Sequence, residues 1–473
     1  MSANPIVAIL GTTGVGKSNL AVELALHLTK SARASGWHGA RVINADSMQV
    51  YSGMDIITNK IPMTERQGIE HLLMGFKKPG EQYTVGQWVD ETLKLIEDTH
   101  KQRKIPIIVG GTSYWIQHLI FPNRLASRMH AQPRELSTQL QANIASLPQD
   151  LLEVYNNLPE RPPSASTEPE AASRLHALLH HLDAEVAQRW HWKDTRKVSR
   201  SLEIMKETGR LPSEIIVHQS QSQDAGAPRF ESLCFWLYAD LSVLEQRLNE
   251  RVDSMVQRGL LQEIQALQDL SKISETSSSD GLAESQRQVD YTLGIYQAIG
   301  YREFSRYLSI SAPTSRDYGE AVERMKISTR QYAKRQISWM RNKFLPAVYG
   351  SKTASTRWLT PLYLLDATNL DDRWKSGVLI PAITVTEDFL AGNELVDPTS
   401  MSETAKQVLA NPNIDTSPSV VLTCRKKIVC DMCTLKEGQP FMVEEGREWE
   451  AHTRSRAHRR RAKEAYSHTA PSQ

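Results

Sequence analysis

Cysteine is scarce in this chain: four occur in 473 residues. So few thiols imply no disulfide framework, and a reducing compartment is expected. Long apolar runs are also missing, since none approaches the roughly 20 residues that a bilayer span requires. The segment Met1 to Ile9 holds no basic residue, which makes a poor signal or transit peptide. No internal repeat is visible. Net charge is only +2, and 40% apolar with 23% charged residues describes a soluble globular protein. The expectation is a monomer of the cell interior, cytoplasmic, with mitochondria and nucleus as further addresses that one sequence does not separate. The length suits two to four domains with a large core.

Against this background one segment stands out. Gly11-Thr12-Thr13-Gly14-Val15-Gly16-Lys17-Ser18 fits G-x-x-x-x-G-K-[ST], with the apolar run Ile6 to Leu10 before it and a helical pattern from Asn19 to Lys30 after it. Strand, glycine-rich turn and helix in that order present backbone N–H groups and a helix N-terminus to an anion. Lys17 adds a point charge, and the Ser18 hydroxyl suits Mg²⁺. A di- or triphosphate is the expected ligand, whether or not a nucleotide carries it.

The first 120 residues alternate strand and helix. Arg41 to Asp46 reads as a second strand ending in a carboxylate, Val85 to His100 as a helix, and Ile105 to Val109 as a buried strand. That strand runs into Gly110-Gly111-Thr112 and a helix from Ser113 to Ile120. The pattern predicts a parallel α/β sheet whose strand-end loops share one cleft. From about Asn123 the chain turns helical, with amphipathic stretches Leu175 to Trp190 and Arg196 to Thr208 around a polar loop, Pro159 to Ala172. Phe235 to Tyr238 is a further strand, Ser271 to Gln288 a polar insertion, and Tyr318 to Phe344 a helix dense in cations. Ser351 to Ser419 lacks strong periodicity and reads as a connecting segment with a few strands.

The later strand ends in Gly-Gly-Thr, where an ATPase or GTPase needs an aspartate to organise Mg²⁺ and water. Asp46 is the strand-end carboxylate that remains. It reads either as a turn or helix-cap residue or as a base at the mouth of the phosphate cradle.

Several segments together resemble the tRNA dimethylallyltransferases (isopentenyltransferases). They are the loop Gly11 to Ser18, Ala45-Asp46-Ser47-Met48-Gln49-Val50-Tyr51, Gly53 to Lys60, Val109 to Trp115, Asp194 to Ile204, Arg247 to Met255, Gln297 to Phe304 and Thr329 to Gln336. They occur in family order over roughly residues 5 to 345. The resemblance implies a P-loop NTPase-like parallel sheet core with a helical insertion domain, a helical C-terminal half and a small zinc finger. The implied divisions are 1–122 for the core, 123–195 for the insertion, 196–350 for the rest of the core and tRNA-binding helices, 351–419 for a linker and 420–466 for the finger.

It also implies the reaction. The cradle would hold dimethylallyl diphosphate with Mg²⁺, and the acceptor would be the exocyclic amine of the adenosine 3′ of the tRNA anticodon. Asp46 matches the catalytic aspartate, Thr13 a position beside the reacting carbon, and Lys17 and Arg251 groups that meet the diphosphate, with Arg247 the rival of Arg251. Asp46, Ser47, Met48 and Gln49, Thr112, and Arg196, Lys197, Val198, Ser199 and Arg200 match segments that touch tRNA. Lys197 departs from the family's more usual arginine and would meet phosphate as a point charge. The cation-dense helix would face the tRNA backbone, and the reaction centre would be a channel through the core.

Near the C-terminus Cys430 and Cys433 are followed by His452 and His458, a pattern that suits a tetrahedral structural Zn²⁺ with both histidines on one helix after Trp449. Arg454, Arg456, Arg459, Arg460, Arg461 and Lys463 crowd the same stretch, as in RNA-binding fingers of the family's eukaryotic members. Cys424 precedes the pair, and Cys234 adjoins a buried strand. Two other classes stay open at this point. A small-molecule kinase would share the cradle, and a non-catalytic RNA-binding protein would explain the finger.

Overall fold

The computed structural model describes every residue except 1–4, 32–35, 123–134, 222–226, 277–293, 352–359, 372, 411–425, 437 and 470–473. Cys424 and most of the polar insertion at 271–288 therefore lie outside the described residues. Two compact units account for the chain: Met1–Pro122 with Gly226–Ile414, and Asn123–Ala225 with Asp415–Gln473.

The first unit opens with β1 (Pro5–Gly11), α1 (Lys17–Lys30), β2 (Ala40–Asn44), β3 (His71–Leu72), α2 (Val85–Lys101), β4 (Ile105–Val109) and α3 (Ser113–Ile120). The second contributes α4 (Thr138–Ala145), α5 (Gln149–Asn156), α6 (Pro169–Leu182), α7 (Ala184–Ala187), α8 (Thr195–Thr208) and α9 (Pro212–Gln221). The chain returns to the first unit with β5 (Glu231–Tyr238), α10 (Leu241–Gln257), α11 (Leu260–Thr276), α12 (Tyr301–Leu308) and α13 (Ser315–Trp339). There follow α14 (Leu345–Gly350), β6 (Leu362–Asp366), α15 (Ile380–Ala391) and α16 (Glu403–Val408). The finger in the second unit has β7 (Lys427–Val429), β8 (Met442–Glu444), α17 (Arg447–Thr453) and α18 (Arg456–Thr469).

Among the described residues the first unit is built on a six-stranded parallel sheet, in the order β3-β2-β4-β1-β5-β6. β1, β2 and β4 are buried along their length, which is why β1 and β4 read as unbroken apolar runs rather than alternating ones. Ile6, Ala8 and Leu10 face a layer that includes Trp88, Trp115, Phe304 and Phe344. Val7 and Ile9 face the other layer, with Leu20, Leu24 and Leu28 of α1. Each such leucine, fully buried, contributes roughly 1.5–3 kcal/mol relative to exposure.

The segment expected as a linker belongs partly to this sheet. Leu362 to Asp366 pairs in parallel register with Cys234 to Tyr238, and Val378, Ala382 and Val385 cover it. The sequence pattern allows a few strands in this segment, but a short apolar run carries no signal that says which sheet it joins. The helix α8, expected with the rest of the core and the tRNA-binding helices, belongs to the second unit. Val198, Leu202 and Met205 of α8 close an apolar cluster with Leu178, Leu179 and Leu182 of α6. The expected helix from Leu175 to Trp190 breaks at Asp183, whose carboxylate takes the N–H groups of Val186 and Ser213. The expected loop from Pro159 to Ala172 is shorter, because Pro169 starts α6 at the helix position where a missing N–H costs nothing. The cation-dense helix ends in a π turn, Met340–Phe344, just before Pro346. Proline cannot donate into the turn before it, and the widened turn absorbs the clash.

Within the second unit the finger sits on the insertion helices. The Trp192 indole donates to the Pro440 carbonyl at 2.8 Å, and the Lys427 N–H to that of Gln188 at 2.6 Å. Trp192, Ala172 and Met442 form a small apolar cluster at the junction. Trp192→Ala should cost roughly 3–5 kcal/mol there, the usual scale for losing a buried tryptophan. Limited proteolysis should then cut within 415–473 earlier, while the first unit melts as before. Unchanged protection of the finger would show that the junction does not depend on Trp192.

Candidate active site

Three loops meet at the carboxyl ends of β1, β4 and β2, as parallel sheets dispose them. The β1 loop is the glycine-rich cradle, and α1 begins at Lys17 with its N-terminus toward it. The β2 and β4 loops are tied together: the Ala45 N–H donates to Val109 O at 2.7 Å, and the Thr112 N–H to Ala45 O at 3.2 Å. Gly110 makes this approach possible, since a Cβ there would lie 2.2 Å from the Ala45 carbonyl. That closeness brings Asp46 beside Gly111 and Thr112.

Asp46 is held by its own turn. Asn44 accepts the Asp46 N–H through Oδ1, and its Nδ2 donates to Asp46 O and Leu73 O. Asp46 Oδ1 takes the Met48 N–H at 2.9 Å, so the turn reading was correct as far as that oxygen goes. Oδ2 lies on the side of Gly111. The two readings of Asp46 are compatible, because a carboxylate has two oxygens and the turn needs one.

A cavity of about 750 Å³ opens over these loops, and Thr13, Lys17, Ser18, Asp46, Gly111 and Arg251 line it. Burial pushes the Lys17 ammonium down to about 8, partly offset by Asp46 and reinforced by Arg251. Burial likewise lowers the Arg251 guanidinium to about 10, again with Asp46 opposing, and Arg258 adding to the shift. Two desolvated cations and one carboxylate therefore leave an excess of positive charge at the cradle, the condition for holding an anion. The cavity also has an apolar wall, where Ile57, Val252, Met255, Ile299 and Met325 contribute.

Geometry distinguishes the two arginines. Arg247 spends its guanidinium on backbone carbonyls, donating to Gly14 O, Ala367 O and Thr368 O at 2.9–3.3 Å. Arg251, one turn on, lines the cavity, and among the described residues no hydrogen bond or ion pair engages it.

The structure also uses residues that sequence reasoning overlooked. Gln336 is buried, accepts the Thr13 N–H at 2.9 Å and donates to Gly111 O at 2.9 Å, clamping the cradle to the β4 loop. Tyr332, one turn earlier, lines the same cavity, and burial beside Asp46 raises its phenol strongly. Both lie in the helix expected to face tRNA with its cations. Several of those cations instead tie α13 to α10: Lys326 to Asp253 and Lys334 to Glu245, each at 2.8 Å, and Arg330 to Asn249. The signal was present as a 4-3-4 spacing of Met325, Thr329, Tyr332 and Gln336 on the inward stripe of a charged helix.

Of the expected RNA-facing residues, Ser47 bonds Thr112 through its N–H and hydroxyl, and Gln49 donates to Thr58 O and Asn59 O. In α8 the side chains diverge. Arg196 and Lys197 are exposed and Arg200 half-buried beside Glu203 and Glu207, but Val198 and Ser199 turn into the helical core. Those two side chains cannot touch RNA, because helical periodicity sends every third or fourth residue inward.

The finger residues converge. The ligand atoms of Cys430, Cys433, His452 and His458 all lie within 4.8 Å of one another. His458 Nδ1 is 3.5 Å from Cys430 Sγ, 3.6 Å from Cys433 Sγ and 3.1 Å from His452 Nε2. The edges of a tetrahedron with zinc-like bond lengths are ~3.3–3.8 Å, so these donors fit a tetrahedral ion. The histidines are not on one helix. α17 ends at Thr453 and α18 starts at Arg456. Six residues on an unbroken helix would point about 120° apart, and the break at Arg454-Ser455 brings both rings to one point.

Lys17 yields a pH prediction. An anion favours the charged ammonium, so affinity for inorganic diphosphate should be full below pH 8 and fall as pH rises through about 8. Lys17→Arg, whose guanidinium stays charged, should lack that inflection in a calorimetric titration. Identical pH profiles would remove Lys17 from anion binding.

Comparison with known proteins identifies the family. The family model described as IPP transferase matches residues 49–343. The tRNA dimethylallyltransferase of Schizosaccharomyces pombe is 35% identical over 472 residues, covering 97% of this chain and 96% of its own. That of Saccharomyces cerevisiae is 32% identical, covering 96% and 91%. A solved structure of a eukaryotic dimethylallyltransferase acting on tRNA aligns with a TM-score of 0.70 and 29% identity, over 98% of both chains. With cradle, carboxylate and buried cations in one cavity, and relatives spanning nearly its whole length, this chain belongs to the tRNA dimethylallyltransferase family of IPP transferases.

Proposed function

We propose that this protein transfers the dimethylallyl group of dimethylallyl diphosphate to the exocyclic amine of the adenosine 3′ of the tRNA anticodon. One observation carries the reading: the cradle with Lys17 and Arg251 opens into the same cavity as Asp46, so leaving group and proton acceptor flank one space. The cradle N–H groups, Lys17 and Arg251 would take the diphosphate. Ser18 would place Mg²⁺, which supplies further charge neutralisation when bound. The amine nitrogen forms a bond to the allylic carbon as the carbon–oxygen bond to diphosphate breaks. The amine proton passes to Asp46, at the Oδ2 that the turn leaves available. Diphosphate departs into a field of cations set before the reaction begins, so little reorganisation is needed. Thr13 would stand beside the reacting carbon, its backbone fixed by Gln336.

The adenine must leave the anticodon-loop stack to reach such a cavity, at a cost of a few kcal/mol. Asp46 to Gln49 and Thr112 would meet it, with Arg196, Lys197 and Arg200 on the RNA backbone. The four-donor finger would hold Zn²⁺ and add phosphate contacts through Arg454 to Lys463. A kinase reading is disfavoured because β4 ends in Gly-Gly-Thr without the aspartate that would organise Mg²⁺ and water. A purely RNA-binding role leaves the buried Lys17–Arg251 pair unexplained.

Asp46→Asn should keep tRNA binding and lower single-turnover transfer at least ~100-fold, the usual scale for a positioned base. Turnover near that of the unaltered protein would exclude Asp46 as the base. Arg251→Ala should lose roughly 2–4 kcal/mol of transition-state stabilisation.

Cys433→Ser should release one metal ion per chain and unfold the finger, with the first unit intact. Affinity for tRNA should fall, and its log-log salt slope should flatten by roughly 0.7–0.9 per lost phosphate contact. The rate at saturating tRNA should stay the same. Normal binding with no transfer would contradict the clamp role.

A further inference from the structure

The segment after β6, absent from the family words in the sequence, lies against the outer side of the cradle. Trp374 packs so closely on Gly16 that a Cβ there would be 2.8 Å from the indole carbons Cη2 and Cζ3, with Leu370 at 3.8 Å. Gly16 also needs its glycine for backbone reasons, at φ +86°. The indole N–H donates to Glu23 Oε2 at 2.8 Å, which lays the ring along the face of α1 that carries residues 16 and 23. Arg247 secures the root of this strap by joining Gly14 O to Ala367 O and Thr368 O. The Asp240 N–H adds a bond to Thr368 Oγ1 at 3.1 Å.

A diphosphate seated on the cradle can continue in two directions. Inward lies the cavity with Asp46, Gly111 and Met255, whose apolar wall suits a short hydrocarbon. Outward lies the far side of Gly16 along the α1 face that carries Glu23, where a ribose and base would have to pass if the inner space is kept for the acceptor. Trp374 and Leu370 occupy that outward side.

We infer that Trp374, with Leu370 beside it, is a selectivity plug that lets the cradle take a diphosphate without a nucleoside and excludes nucleoside di- and triphosphates. The plug works by steric exclusion of the wrong ligand, and it needs no contact with the right one. The inference rests on the cradle being a prenyl diphosphate site, and it explains how a loop of the nucleotide-binding type serves a non-nucleotide donor.

The test compares two probes, inorganic diphosphate and ADP, each with Mg²⁺, by titration calorimetry on the full chain. The unaltered protein should bind inorganic diphosphate and hold ADP at least about tenfold more weakly. Trp374→Ala should raise ADP affinity relative to inorganic diphosphate about tenfold or more. Glu23→Ala, which releases the indole without deleting it, should shift the ratio in the same direction. If Trp374→Ala distorted the cradle, both ligands would weaken together, and Glu23→Ala would then decide. ADP binding as tight as inorganic diphosphate in the unaltered protein would overturn the plug. So would a ratio that falls in Trp374→Ala, because the indole would then be a stacking platform for the base. No prenyl transfer is measured, so failure of the transferase reading and failure of the plug are separate results.

Discussion

Holding Lys17 and Arg251 together at one half-buried cavity is the constraint on which the site depends. Burial lowers both cations, with Arg251 adding to the shift on Lys17 and Arg258 to that on Arg251. Asp46 opposes the shift on both, but one carboxylate does not balance two cations. A protein tolerates such an excess where an anion is to be bound, and the same excess stabilises the charge that develops on a departing diphosphate. The carboxylate thereby has two tasks, steadying the cations and receiving a proton.

The surrounding framework keeps these charges in register. β1, β2 and β4 lie side by side, so their carboxyl-end loops meet by topology. Gly110 lets the β4 loop touch Ala45, Asn44 fixes the turn of Asp46, and Gln336 joins the cradle to Gly111 from a helix more than 300 residues further on. α13 is itself tied to α10, the helix of Arg251, by Lys326–Asp253 and Lys334–Glu245. Such exposed pairs add little stability individually, but they set the relative position of two cavity walls.

The second unit shows the same economy of local rules with a different outcome. Its helices close on leucines from α6 and on α8, and its finger is too small to fold on apolar burial alone. Four converging donors supply a metal site in place of a core, while Trp192 fastens the finger to the helices.

The sequence by itself determined the strand–loop–helix of the cradle, the bounds of β4 and α3, the strand-end position of Asp46 and the four finger ligands. Each rests on short-range spacing, which local backbone geometry converts directly into shape. Tertiary structure decided the rest. It placed Leu362 to Asp366 in the sheet, sent Val198 and Ser199 inward, broke the finger helix between its histidines, and set Arg251 in the cavity wall while Arg247 binds backbone carbonyls. It also made Gln336 part of the cradle and put Trp374 against Gly16. These outcomes depend on which surfaces meet across long stretches of chain. A helix period shows that one stripe is turned inward, but the partner's loops determine whether that stripe meets leucine, carbonyl or substrate.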